Sequence, residues 1–190
     1  TGVTEFSELE KIPVLIGDIG GTNTRLSLIK MSRLFTEKPE LIFNKVYPSF
    51  EHDSFEAVVG NFLATPKIIE NYPKFGVIGV PCPVSNNSFQ KVTNIPKWPA
   101  TKGDDIAKKF NLLKFVFLND FQANGYGIQS NLVEGTDYVF LTGKGNLDKN
   151  APKAMIGPGS GVGVGLLAKE KIGKYHIVVP SEAAHGDFPP

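Results

Sequence analysis

Two stretches of this chain share one pattern: a strand-like apolar run, a glycine-rich turn and a second apolar run. The first reads IGDIGGTNTRLSLIK from Ile16, and the second reads IGPGSGVGVGLLAKE from Ile156. A third strand-like run follows each of them, so the pair forms a weak internal repeat that we interpret as structural. The repeat restricts the chain to folds in which two glycine hairpins occupy equivalent positions.

The hydrophobic pattern around the first hairpin predicts a mixed sheet with helical crossovers. Apolar spacing at Phe55, Val58, Val59, Phe62 and Leu63 predicts a helix that begins near 53–54. A brief helix capped by Asp104 is predicted to follow. The predicted strands are 12–17, 24–30, 41–47, 75–80, 114–118, 153–157, 162–169 and 174–179. In the second unit, three strands without a crossover helix after them would leave one sheet face uncovered, so we expect that unit to be incomplete.

The composition excludes several classes of protein. Twenty Lys and Arg against 19 Asp and Glu give a formal charge of +1, without the dense cationic surface that nucleic acid binding needs. The single cysteine, Cys82, excludes an internal disulfide and fits a reducing compartment. No apolar run approaches the ~20 residues that span a bilayer. With three histidines in the chain, a metal site built on histidine is not expected.

The first glycine turn, from Asp18 to Asn23, can bind an anion. Glycines there can adopt positive φ, which lets backbone N–H groups converge on a phosphate. Asp18, at the end of a buried strand, can hold Mg²⁺ directly or through water. The alternative is an ordinary hairpin turn with a capping aspartate. The turn matches neither the Walker pattern nor G-x-G-x-x-G.

The second turn, Gly157 to Gly163, is ambiguous by itself because dense glycines also make sharp turns. Its position in a second unit favours a pair of hairpins that close on a polyphosphate, with the Ser160 hydroxyl offered to the terminal phosphate.

Two further segments carry polar side chains. Asn119 and Asp120 follow an apolar strand, where α/β sheets bind ligands, although Asp120 could equally be the N-cap of a helix from Phe121. Glu182 and His185 are three residues apart and could point into one pocket, but a lone histidine is more often structural.

These segments together resemble the bacterial-type glucokinases, sugar kinases of the actin-like ATPase superfamily. LIGDIGGTNTRLSL and GPGSGVGVGLL are similar to the two phosphate motifs of that family. VTNIPKW, LNDFQANGYGI and SEAAHGDFPP resemble three of its sugar-site segments, in the same order. The resemblance runs from about Ile12 to Pro190.

The resemblance implies a role for each matching residue. Asp18 would organise the Mg²⁺ that accompanies ATP, and Asp120 would be the catalytic base on the sugar 6-hydroxyl. The implied nucleotide-binding residues are Asp18, Gly20, Gly21, Thr22, Asn23, Gly159, Ser160 and Gly161. The implied sugar-binding residues are Asn94, Asn119, Asp120, Glu182 and His185. One departure is that the usual EGGH of the family reads Glu182-Ala183-Ala184-His185 here.

The fold that the resemblance implies is a two-lobed actin-like ATPase, or ribonuclease H-like, α/β fold. Residues 1–118 would form the small lobe, and 119–190 would begin a larger, truncated one. The implied activity is ATP-dependent phosphorylation of glucose in the cytoplasm, without nucleic acid or membrane partners; a homodimer is left open. The zinc-binding cysteine cluster of the related repressor, open-reading-frame and kinase (ROK) group is missing, which favours the glucokinase branch.

Three alternatives stay open from the sequence. The chain could phosphorylate another hexose, such as mannose, fructose or an N-acetylated amino sugar. It could be a non-catalytic sugar sensor on the same fold. It could also be an ATPase module of the actin or chaperone type, in which the Asn119-Asp120 pair is not expected. The phosphate donor, whether ATP, ADP or polyphosphate, is not readable from these residues.

Overall fold

The chain divides into two compact units, Thr1–Asn119 and Asp120–Pro190, and each contains its own β-sheet. The computed structural model describes these residues: 11–32, 38–92, 94–130, 135–141, 148, 151–158, 162–169 and 176–181. Within these ranges the protein has the predicted α/β character.

The first unit combines seven strands with three α-helices in its described residues. The strands are β1 (Lys11–Ile19), β2 (Asn23–Ser32), β3 (Glu40–Pro48), β4 (Phe75–Val80), β5 (Ser88–Phe89), β6 (Thr101–Lys102) and β7 (Lys114–Asn119). The helices are α1 (Phe55–Leu63), α2 (Pro66–Ile69) and α3 (Gly103–Lys109), and a 3₁₀ turn covers Ser49–Glu51.

The main sheet of the first unit has the strand order β3-β2-β1-β4-β7. Strands β1, β2 and β3 pair antiparallel in chain order. Strand β4 pairs parallel with β1 and with β7, and the connections before β4 and β7 contain helices. The predicted mixed sheet with helical crossovers is therefore confirmed.

Helix α1 begins where its sequence predicts. Ser54 is the N-cap, and its side chain accepts a hydrogen bond from the Ala57 N–H at 3.1 Å. The five apolar residues of the predicted face are all buried. The predicted cap of α3 is wrong, because Lys102 is the N-cap. Asp104 lies in the first turn, where its carboxylate still interacts favourably with the positive end of the helix dipole. No helix in the described part of the chain is long and apolar enough to cross a membrane.

An aromatic cluster forms the centre of the first unit's core. The Phe55 ring lies 5.6 Å from that of Phe117, 6.0 Å from that of Trp98 and 6.1 Å from that of Phe115, measured between ring centroids. Phe55 comes from α1, and Phe115 and Phe117 come from β7, so the cluster fixes the helix on the sheet.

The second unit consists of one helix and a three-stranded antiparallel sheet in its described residues. The helix is α4 (Asp120–Gly127), and the strands are β8 (Lys153–Pro158), β9 (Val162–Lys169) and β10 (His176–Ser181), in the order β10-β9-β8. Helix α4 covers one face of the sheet: Gly125 lies so close to Val178 that a Cβ there would overlap it.

The C-terminal end of α4 is fixed to the edge strand β10 by Gln129. The Gln129 side chain donates to the carbonyl of His176 at 3.1 Å and accepts from its N–H at 2.7 Å. The sheet face opposite α4 carries exposed apolar side chains from all three strands, namely Ile156, Val162, Leu166, Ile177 and Val179. Among the described residues, this face of the sheet is therefore apolar and exposed.

Tyr47, on β3, is buried with an unsatisfied hydroxyl. Only 4% of the residue is exposed, and its Oη has no hydrogen-bond partner among the described residues. Burial raises the pKa of Tyr47 to about 12, because the phenolate would lose its hydration. The neutral side chain is therefore favoured in the folded state.

Phe55→Ala is expected to lower the free energy of unfolding by about 3–5 kcal/mol, because it opens a cavity at the centre of the aromatic cluster. Urea denaturation measures the change. The matched control is Phe50→Ala, at a phenylalanine that is 63% exposed, which should change the stability by less than about 0.5 kcal/mol. Equal effects of the two substitutions would contradict the assigned core.

Tyr47→Phe is expected to increase stability, and the advantage should grow at alkaline pH. The folded-state pKa lies above the ordinary value of 10.0, so the stabilising contribution of neutral Tyr47 is complete below pH 10 and is lost as the pH rises toward 12. At high pH the free energy of unfolding of the wild type can fall by roughly 3 kcal/mol for this reason, whereas the phenylalanine variant has no such loss. Unfolding measured from pH 8 to 11.5 tests this, with Tyr126→Phe, at an exposed tyrosine, as control. A constant wild-type-to-variant difference across that range would contradict it.

Candidate active site

The first glycine motif forms a tight turn between β1 and β2. Ile19 pairs with Thr24 across the antiparallel strands, so only residues 20–23 remain to reverse the chain. The Gly20 N–H donates to the Asn23 carbonyl at 2.9 Å and closes the turn.

The two glycines are needed for close packing and not for positive φ. Within the described residues, the one glycine with positive φ is Gly135, so that part of the sequence interpretation is wrong for Gly20 and Gly21. A Cβ at Gly20 would lie 2.8 Å from the Asn23 carbonyl oxygen. A Cβ at Gly21 would lie 2.8 Å from both the Cβ and Nδ2 of Asn94. Glycine thus lets the turn approach its neighbours closely.

The contact between Gly21 and Asn94 joins two segments that the sequence assigns to different ligands. Asn94 is exposed, and the residues after it are anchored by Ile95 and Trp98, each 2% exposed. The Trp98 Nε1–H donates to the His52 carbonyl at 2.9 Å. The structure therefore places a predicted sugar-binding side chain directly against the predicted phosphate turn.

Asp18 faces Arg25 across the β1–β2 pair. The carboxylate lies 3.8 Å from the guanidinium, and both side chains are more than half exposed. An exposed pair of this kind contributes little to stability. Its charges remain accessible to a ligand at the turn.

A single exposed carboxylate fits the way Mg²⁺ is usually held beside a nucleotide. That ion keeps most of its waters and takes one or two carboxylates together with substrate phosphates. The described residues contain no cluster of three or more Asp, Glu, His or Cys that could hold a metal by themselves. Asp18 thus fits an ion that arrives with its nucleotide.

The parallel strands bring the turn and Asn119 to the same edge of the sheet. Strands β1, β4 and β7 run parallel; Gly79 pairs with Asp18 on one side and with Leu118 on the other. With about 5 Å between neighbouring strands, Asp18 and Leu118 lie roughly 10 Å apart in one row. Asn119 is the last residue of β7, and its Nδ2 donates to the Cys82 carbonyl at 3.5 Å. This is the edge at which open α/β sheets bind ligands.

Asp120 begins helix α4, one residue earlier than the helix predicted from Phe121. Its Oδ1 accepts a hydrogen bond from the Phe121 N–H at 2.8 Å. The side chain is partly buried. The carboxylate therefore stabilises the helix start, and this contact uses one of its two oxygens.

The remaining predicted site residues, Gly159, Ser160, Gly161, Glu182 and His185, lie outside the described residues. The strands on either side of the second turn do form the predicted antiparallel pair, since β8 ends at Pro158 and β9 begins at Val162. A Cβ at Gly157 would lie 2.5 Å from the Phe121 ring, and one at Gly163 would overlap it. These two glycines therefore make room for an aromatic side chain of α4.

Sequence reasoning missed Ser49. This residue is fully buried just after β3, and its N–H donates to the Thr22 carbonyl at 2.8 Å. Its hydroxyl donates to the Gly20 carbonyl at 3.1 Å. No sequence pattern marks the residue, because the contact spans 29 positions along the chain.

Gly21→Ala is expected to lower the free energy of unfolding by about 1–3 kcal/mol, because the added methyl group must displace Asn94. The control is Gly127→Ala, where an added Cβ would meet nothing within 4 Å and alanine favours the helix. Chemical denaturation of both variants measures the effect. A Gly21→Ala protein as stable as the control would show that the turn and Asn94 are not in close contact.

Comparison with known proteins supports the resemblance. The sequence model of the family described as glucokinase matches residues 15–190. The glucokinase of Trichormus variabilis is 33% identical over 177 residues, which is 93% of this chain and 48% of that protein. The glucokinase of Photorhabdus laumondii is 32% identical over 174 residues, 92% of this chain and 49% of that protein. The chain thus spans about half the length of the curated relatives that it matches.

Solved structures show the same fold. A glucokinase from an Antarctic psychrotroph matches with a TM-score of 0.77 at 24% identity, over 95% of this chain and 53% of that one. A glucokinase from Balamuthia mandrillaris in complex with glucose matches with a TM-score of 0.64 at 17% identity, over 95% of this chain and 50% of that one. With the family model matched over nearly the whole sequence, this chain belongs to the glucokinase family.

Proposed function

We propose that this protein transfers the γ-phosphoryl group of ATP to the 6-hydroxyl of glucose, giving glucose 6-phosphate and ADP. The observation that carries the proposal is the family match from residue 15 to 190. The sheet edge shared by the glycine turn and Asn119 agrees with it, because both sets of predicted ligand residues need that position. Residues 1–118 would be the small lobe of the enzyme, and 119–190 would begin the larger one.

The nucleotide phosphates are proposed to bind at residues 20–23 and at 159–161, including Ser160. Phosphoryl transfer passes through a loose transition state, so the protein mainly positions the groups and neutralises charge. Backbone N–H groups of a tight glycine turn can do this without the mobility of long side chains. Mg²⁺ bound with ATP would supply charge neutralisation at the phosphates. Asp18 is the carboxylate proposed to hold it.

The sugar hydroxyls are proposed to be bound by Asn94, Asn119, Glu182 and His185. Amide, carboxylate and imidazole groups can match each hydroxyl with a donor or an acceptor. A site of this kind rejects analogues that leave a buried polar group unpaired. The contact of Asn94 with Gly21 supports this assignment, because the transferred phosphoryl group must pass between nucleotide and sugar.

Asp120 is proposed to be the general base. The sugar 6-oxygen attacks the γ-phosphorus, the bond from that phosphorus to the bridging oxygen breaks, and the hydroxyl proton moves to the Asp120 carboxylate. The Phe121 N–H holds one carboxylate oxygen, which orients the side chain while the second oxygen can take the proton. We expect the reaction to take place in the cytoplasm, where ATP is available.

Asp120→Asn is expected to lower kcat by about 10²–10⁴-fold, because it removes the proton acceptor. An asparagine oxygen can still accept from the Phe121 N–H, so the start of the helix should be preserved and ATP binding should be nearly unchanged. A coupled assay of glucose 6-phosphate formation measures kcat, and a nucleotide titration measures ATP binding.

The matched control is Asp105→Asn, which also removes a carboxylate from the first turn of a helix but in α3. It should retain the wild-type kcat. If the Asp120→Asn enzyme keeps more than a tenth of the wild-type rate, the base assignment is wrong. If the wild-type enzyme phosphorylates mannose, fructose or an N-acetylated amino sugar faster than glucose, that sugar is the substrate in place of glucose. If the protein binds a hexose but phosphorylates none, it is a sugar sensor.

A further inference from the structure

Two carbonyl groups of the glycine turn, those of Gly20 and Thr22, both accept hydrogen bonds from one residue, Ser49. Its backbone N–H donates to the Thr22 carbonyl and its hydroxyl to the Gly20 carbonyl, at 2.8 and 3.1 Å. Ser49 itself is 0% exposed and begins the 3₁₀ turn after β3. The turn is therefore held by a neighbouring segment as well as by its own hairpin.

The Ser49 hydroxyl belongs to a short buried chain of hydrogen bonds. Its Oγ lies 3.0 Å from the Oγ1 of Thr24, which is also 0% exposed. A hydroxyl has one proton to donate, and that of Ser49 goes to Gly20. Thr24 must then be the donor to Ser49. Thr24 thus fixes the direction of the Ser49 hydroxyl, and Ser49 fixes the Gly20 carbonyl.

The orientation of these carbonyls determines where the adjacent amides point. Peptide bonds are planar, and the described residues contain no cis peptide, so C=O and N–H of one peptide unit point in opposite directions. With the Gly20 and Thr22 carbonyls held toward Ser49, the N–H groups of Gly21 and Asn23 point away from it. Two N–H groups on the same side of a tight turn are the arrangement that binds an anion.

We propose that Ser49 is a positioning residue, which sets the Gly21 and Asn23 amides to receive the nucleotide phosphates. The proposal rests on the proposed function, since it assigns the nucleotide to this turn. Ser49 does not touch the ligand and acts through the peptide units of the turn. If a peptide unit of the turn lost its hydrogen bond to Ser49 and rotated, its carbonyl oxygen would replace the N–H donor. A carbonyl oxygen in that position repels phosphate.

Ser49→Ala is expected to raise the KM and the dissociation constant for Mg·ATP by about tenfold, the effect of one hydrogen bond of ordinary strength. The KM for glucose should change less than about twofold. Steady-state kinetics of the intact protein and titration with Mg·ATP measure these constants. Amide NMR of the wild type should show large ligand-induced shifts at Gly21 and Asn23 that diminish in the variant.

The matched control is Ser88→Ala. Ser88 is also buried, and its Oγ donates to a backbone carbonyl, that of Thr101, at 3.0 Å. This variant should lose similar stability yet keep the wild-type affinity for ATP. If Ser49→Ala and Ser88→Ala have the same KM for ATP, Ser49 is merely structural and the proposal is wrong.

A second pair of variants decides the matter if Ser49→Ala does not fold. Thr24→Val removes the donor to Ser49 but keeps the shape of the side chain, whereas Thr24→Ser keeps the donor. The valine variant should weaken ATP binding and the serine variant should not; equal affinities would overturn the proposal.

A wild type that binds Mg·ATP without phosphorylating any hexose would refute the proposed function, while the ATP affinities would still test the role of Ser49. A wild type that does not bind Mg·ATP would refute both.

Discussion

The pairing of β1 with strands on both of its sides determines where Asp18 and the glycine turn lie relative to Asn119. Its antiparallel pairing with β2 creates the glycine turn, and its parallel pairing with β4 places that turn at the edge where β7 ends in Asn119. Leu15 and Ile19 hold β1 in the core, at 0% and 1% exposure. A shift of β1 by one residue would exchange its two faces and bring Asp18 into the core in place of Leu15 and Ile19, so core packing and the position of the site are fixed together.

The turn itself has little freedom. Its own hairpin hydrogen bond, the Ser49 contacts and the Asn94 contact at Gly21 all restrict it. Phosphoryl transfer benefits from donors that are already oriented before the ligand binds, because no reorganisation is then needed at the transition state. In the proposed anion site the glycines therefore allow close packing, and the hydrogen-bonded carbonyl groups fix the direction of the adjacent amides.

Local patterns predicted most elements of the first unit, because they depend on runs of neighbouring residues. The apolar run around Leu15, the alternation around Leu26 and the spacing from Phe55 to Leu63 each specify an element without knowledge of the rest of the chain. The ends of β1, β2 and β3 were predicted one or two residues short, since polar residues such as Asp18 and Asn23 continue the pairing of the strands. Contacts between distant segments could not be predicted: neither Ser49 nor the approach of Asn94 to Gly21 has a local signal. Glycine content likewise could not show that close packing, and not positive φ, is the reason for Gly20 and Gly21.

The central claim is that the turn at residues 20–23 binds the nucleotide phosphates while Asp120 accepts the proton of the sugar 6-hydroxyl. A crystal structure of the intact protein with glucose, Mg²⁺ and a non-hydrolysable ATP analogue tests it most directly. We expect phosphate oxygens about 2.7–3.2 Å from the Gly21 and Asn23 nitrogens, and an Asp120 carboxylate oxygen about 2.6–3.2 Å from the glucose O6. Phosphates bound away from this turn, or another residue in contact with O6, would contradict it.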